Sequence, residues 1–133
     1  MIMTKHHKFT IAASVAALLA GTALVRQSQA ADAKDDPIKQ VMKIYHKAPK
    51  GVDPICKKAS DGKATPAEIK NLVAAYKTLT TTTPPKGDEA SWKEKTSKLY
   101  AAAQALASGA PDGVAKYKEA VNCKACHSVH KPD

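Results

Sequence analysis

The 133-residue chain predicts an all-α fold, an antiparallel four-helix bundle, on three observations. Aromatic residues make up only 5% while hydrophobic residues reach 44%, with alanine abundant, a composition that suits Ala- and Leu-lined helices better than a β-sandwich. Four stretches carry apolar residues at helical spacing. Each is bounded by helix start and stop signals, and no stretch is rich in strand formers.

Before the first helix lies a segment of a different kind. Lys5, His6, His7 and Lys8 are followed by an apolar run of 15 residues, Ile11 to Val25, and then by Ser28-Gln29-Ala30. A basic start, a short apolar centre and small residues at a cleavage site describe a secretory signal peptide. Cleavage is expected after Ala30, leaving residues 31–133 as a single exported domain. The run is short and Ala-rich for a membrane span. Residues 1–30 carry three of the 21 basic side chains and none of the 12 acids, so the mature domain keeps 18 lysines against 12 acids, a net charge of +6.

The mature helices follow in order. Asp36-Pro37 is an N-cap with proline at the first helical position. The first helix is expected to run to about Ala48, with Ile38, Val41, Met42 and Tyr45 on one face, until Pro49 and Gly51 stop it. Asp53-Pro54 can open a short extra turn ending near Gly62. Thr65-Pro66-Ala67-Glu68 is a capping box, and Ile69, Leu72, Val73, Tyr76 and Leu79 form the stripe of the second helix. The threonine run 80–83 and Pro84-Pro85 make an extended connector. Asp88 or Ser91 caps the third helix, whose stripe is Trp92, Leu99, Tyr100, Ala103, Leu106 and Ala107, with Gly109 as its stop. Pro111-Asp112-Gly113 leads into a fourth helix carrying Val114, Tyr117, Val121, Ala125 and Val129.

The chemistry lies at the end of that helix, in Cys123-Lys124-Ala125-Cys126-His127. C-x-x-C-H is the attachment pattern of c-type haem. Residues three apart share a helix face, so two thiols can reach the two vinyl groups of one porphyrin. The adjacent His127 can then offer a ring nitrogen to the iron. A thioredoxin-like pair would want a βαβ context. A zinc site would need four ligands, for which His130 and Cys56 are the remaining sources. An exported chain is delivered to the compartment where c-type haem is attached in bacteria, the periplasm, so the leader and the motif support each other. With Cys123 and Cys126 engaged, Cys56 has no partner in the chain. It is either a small buried apolar residue or one half of an intermolecular disulfide.

A haem motif at the C-terminal end of the last helix of a four-helix, Ala-rich domain resembles the class II c-type cytochromes, the cytochrome c-prime group and its low-spin, methionine-ligated relatives. The resemblance covers residues 36–131 and also rests on Trp92 opening the third helix. Lys131 stands where the family usually carries an arginine, four residues after the ligating histidine. The resemblance implies one covalent haem c on Cys123 and Cys126, His127 as axial ligand, and a first helix facing the iron's other side. Two residues on that helix can bind iron, Met42 and His46. At 100° per residue, Met42 lies about 60° from the centre of the apolar stripe and His46 about 100°. Met42 is therefore the candidate sixth ligand, with His46 as the alternative. His130, one turn beyond His127, is expected to be a surface residue near a propionate or at a frayed end.

The expected function is that of a periplasmic electron carrier, not an enzyme, passing single electrons between redox partner proteins. The alternative is a gas-binding haem protein for nitric oxide or carbon monoxide, with an open distal site. A lysine-rich surface can steer an acidic partner. Nucleic acid is excluded by the scattered lysines, the lack of interleaved aromatics and the export leader. No small-molecule substrate is expected, and a homodimer through helix faces is possible within the class.

Overall fold

The computed structural model describes residues 36–133. The expected signal segment and the cleavage site after Ala30 lie outside the described residues. The described part is helical throughout its regular structure, with six helices in order and no strand: α1 (Pro37–Tyr45), α2 (Ile55–Ser60), α3 (Pro66–Thr80), α4 (Glu89–Ala107), α5 (Gly113–Ala120) and α6 (Cys123–His130). Among the described residues no helix is long and apolar enough to cross a membrane.

Local chemistry accounts for most of the boundaries. The Asp36 carboxylate accepts from the backbone N–H groups of Ile38 (2.9 Å) and Lys39 (3.3 Å). Two donors that the first turn leaves without intrahelical partners are thereby satisfied. At Thr65 both bonds of the capping box form: the Glu68 N–H donates to the threonine hydroxyl, and the Thr65 N–H donates to the Glu68 carboxylate. Of the two possible caps of α4, Asp88 takes the role by accepting from the Ser91 N–H at 2.8 Å. That leaves the Ser91 hydroxyl free for another partner. The short turn anticipated after residue 53 is α2, with Pro54 at the cap position, while the Asp53 carboxylate pairs with Lys57.

Two expectations need correction. The first helix ends at Tyr45 rather than near Ala48, with His46 as its C-cap. The expected fourth helix is two helices. Val121 leaves the helical region (φ −77°, ψ 50°), and the Asn122 side chain accepts from the Ala125 N–H at 3.0 Å, starting a new helix. Asparagine is among the strongest N-caps, and here it restarts the helix rather than continuing it. The restart resets the helical phase, so one stripe does not run through both halves. Tyr117 is fully buried, whereas Val114 and Val129 are exposed, and His130 takes the buried place in α6.

The core is built on α3 and α4, which pack against each other. Leu72, Tyr76 and Leu79 of α3 meet Trp92, Ala102 and Ala103 of α4, and Tyr117 of α5, Ala59 of α2 and Val41 of α1 close around them. Cys56 is buried in α2, in agreement with the reading of it as a small apolar residue. The indole N–H of Trp92 donates to the carbonyls of Thr82 (2.8 Å) and Leu79 (3.2 Å). It ties the start of α4 to the end of α3.

His130 is the correction that matters most for the site. Expected at the surface, it is 2% exposed. Its Nδ1 donates to the Lys86 carbonyl at 2.9 Å, and its Nε2 pairs with the Ser91 hydroxyl at 3.2 Å. Its ring stands edge-on to Trp92 with centroids 5.3 Å apart. Gly87 makes this approach possible: it has φ +84°, and a Cβ there would stand 2.8 Å from the Val129 carbonyl oxygen and 2.9 Å from His130 Nδ1. His130 is the buried residue of α6, so the short helix is held to the body through it.

His130→Ala removes two hydrogen bonds and the ring packing. It is expected to cost about 2–4 kcal/mol in urea unfolding, while Lys131→Ala, which leaves the clamp intact, stays within about 0.5 kcal/mol. Burial of Cys56 predicts a second outcome: a chain in which Cys123 and Cys126 are replaced by serine migrates as a monomer on a gel run without reductant.

Candidate functional site

Met42, His46, Cys123, Cys126 and His127 all line one open cleft of about 920 Å³. A volume of this size is at the upper end of small-molecule and cofactor pockets, roughly 300–1,000 Å³. The sequence placed two of these residues on the first helix and three about eighty residues later, and the tertiary fold brings them to one space. Leu79, Trp92, Leu99, Ala102, Ala105 and Val121 supply apolar surface, and the small alanines of α4 leave room for a flat ligand to approach the backbone. Lys95, Lys98, Lys116 and Glu119 also line it. Lys98 is paired with Glu94 one turn away on α4, and Lys116 with Asp112, the N-cap residue of α5.

The break before α6 shapes one wall. Cys123 is exposed, Cys126 is half-buried and packs against the core, and His127 is exposed next to it. Burial pushes the Cys126 thiol pKa up, with Lys95 acting in the opposite direction. All three cysteines of the described residues are free thiols. Of the other conceivable zinc ligands, His130 is held by Lys86 and Ser91 and Cys56 is buried in α2, and among the described residues no group of three or more His, Cys, Asp or Glu side chains is arranged to hold a metal ion. The four-ligand zinc arrangement is therefore not assembled.

Opposite candidates come from α1 and its end. Met42 is partly buried and packs on the core. His46, the C-cap whose backbone N–H still donates to the Met42 carbonyl, is also partly buried. Its pKa is pushed down to about 4, first by burial and second by the charge of His127. Behind it stands a feature that the periodicity did not disclose. The Tyr76 hydroxyl lies 3.1 Å from His46 Nε2 and 2.7 Å from the Tyr117 hydroxyl, so three side chains from α1, α3 and α5 form one polar chain. Both tyrosines are fully buried and their pKa values are raised, chiefly by burial. The available signal was two phenols at core positions of apolar stripes, since a buried hydroxyl requires a partner.

No family model matches the chain, and comparison with curated proteins and with solved structures returns no match.

The depressed His46 pKa has a signed consequence. Its folded value lies below the ordinary 6.5, so the unfolded chain binds the proton more readily. The stability this neutral histidine contributes is complete above about pH 6.5 and is lost as pH falls toward 4, by at most ~1.4 kcal/mol per pH unit. Urea unfolding between pH 7.5 and 5 should show that decline, and His46→Gln should flatten it.

Proposed function

We propose that the chain is a periplasmic monohaem c-type cytochrome of the class II layout, carrying single electrons between redox partner proteins. In this reading α1, α3, α4 and the α5–α6 pair are the four rods of the bundle and α2 is an added turn. Haem c is attached through Cys123 and Cys126, His127 is the axial ligand, and Met42 is the sixth. Residues 1–30 are the export signal that delivers the chain for attachment.

One observation carries the reading: the C-x-x-C-H residues and the two residues of the first helix able to bind iron line the same apolar cleft. The residues fit the group. Two thiols three apart on α6 can anchor one ring from one side, and Met42 is a soft, flexible ligand within the same space. Bound there, a c-type haem supplies a one-electron iron couple whose potential the protein sets through ligands, burial and hydrogen bonds. The chain's own contribution is positional. Asn122 starts α6 so that the motif opens a helix, and His130 secures that helix to the α3–α4 connector. Leu79, Leu99 and Trp92 give the cleft apolar walls. Lysines along the cleft favour an acidic docking partner, an effect that salt screens.

Expression with a bacterial haem-attachment system should yield a protein heavier by one haem. Its oxidised spectrum should show a low-spin iron with a sulfur-to-iron charge-transfer band, which Met42→Ala abolishes. A high-spin spectrum with rapid carbon monoxide binding after reduction would replace the electron carrier with a gas-binding protein.

A further inference from the structure

The chain Tyr117–Tyr76–His46 has one assignment of protons that gives every buried donor an acceptor. The Tyr117 hydroxyl is sealed in the core, and Tyr76 is its hydrogen-bond partner, so its proton must go to the Tyr76 oxygen. Tyr76, equally buried, then has one place left for its own proton, Nε2 of His46 at 3.1 Å. A nitrogen that accepts is unprotonated, so in His46 the ring proton sits on Nδ1. Reversing the chain would leave the buried Tyr117 proton without an acceptor, at a cost of about 1–3 kcal/mol.

Nδ1 forms no hydrogen bond with the described residues. Among them no side-chain nitrogen or oxygen is both sealed from space and unpartnered. Nδ1 therefore reaches open space, and the ring lines the cleft beside Met42 and His127. A nitrogen carrying a proton cannot at the same time donate a lone pair to a metal.

We propose that His46 is not an iron ligand but an oriented hydrogen-bond donor, whose Nδ1–H, held by Tyr76 and Tyr117, takes an oxygen acceptor on the molecule that occupies the cleft. The donor follows from the protein's own hydrogen bonds. Only the acceptor's identity rests on the haem reading, where it is a propionate carboxylate or the oxygen of a small ligand on the iron. Tyr76 and Tyr117 are then positioning residues, acting on the cleft only through the imidazole. Outer partners of this kind fix a histidine's tautomer and ring orientation.

The test uses the reduced holoprotein labelled with ¹⁵N in histidine. Long-range proton–nitrogen correlation should show His46 as a single tautomer, protonated at Nδ1 and bare at Nε2, and Tyr76→Phe should abolish that single pattern. His46→Leu should leave the sulfur-to-iron band in place. An Nε2–H tautomer in the wild type, an iron-bound His46 nitrogen, or loss of the low-spin spectrum in His46→Leu would each overturn the proposal. The acceptor is read from the same variant. A lowered reduction potential with an unchanged carbonyl stretch in the carbon monoxide adduct assigns the propionate. A raised carbonyl stretch assigns the iron-bound ligand. No change in either would overturn the donor role. If the purified chain takes up no haem, the functional reading fails by itself. The wild-type tautomer measurement on the haem-free chain still decides the donor.

Discussion

The indole of Trp92 is the contact on which the rest of the molecule depends. Its N–H holds two carbonyls at the end of α3, its ring is buried in the core, and that ring stands T-shaped against His130 at the far end of α6. It also lines the cleft. One side chain thus joins the largest helix pair to the short helix that carries the two thiols. The arrangement suits a core poor in aromatics, where alanines allow close helix approach but bring little area of their own. Few large groups are available, so each one is used at several boundaries.

The polar groups inside follow the same economy. Tyr76, Tyr117 and His46 satisfy one another across three elements, and His130 satisfies a carbonyl in the α3–α4 connector. A buried polar group left unpaired is costly, whereas a completed network rigidifies what it joins. Both networks end at the cleft or at the helix that forms its wall. The rigidity is therefore spent where a bound group would need fixed neighbours.

The helix existence and type were largely legible, because capping chemistry is local. Asp36, Thr65 with Glu68, and Asp88 each meet N–H groups within three residues of themselves. The break at Val121–Asn122 is not legible in the sequence because apolar residues at 114, 117, 121, 125 and 129 fit one continuous helix. The asparagine could as well sit on a solvent face. The burial of His130 is likewise hidden from local pattern, since its partners Lys86 and Ser91 are about forty residues away in sequence. The hydroxyl that meets it belongs to Ser91, which leaves the capping of α4 to Asp88.

The sequence by itself determined that this chain is helical, where most helices begin, and that a C-x-x-C-H motif lies near the end of the last helical stretch. Those features depend on neighbours one to four residues away. Tertiary structure alone decided that α6 is a separate helix clamped by a buried histidine, and that Met42, His46 and the motif line one space. It also decided that Tyr76 and Tyr117 meet His46 in one polar chain. Each depends on which distant groups a buried polar atom meets, and helical periodicity carries no information about partners on other helices.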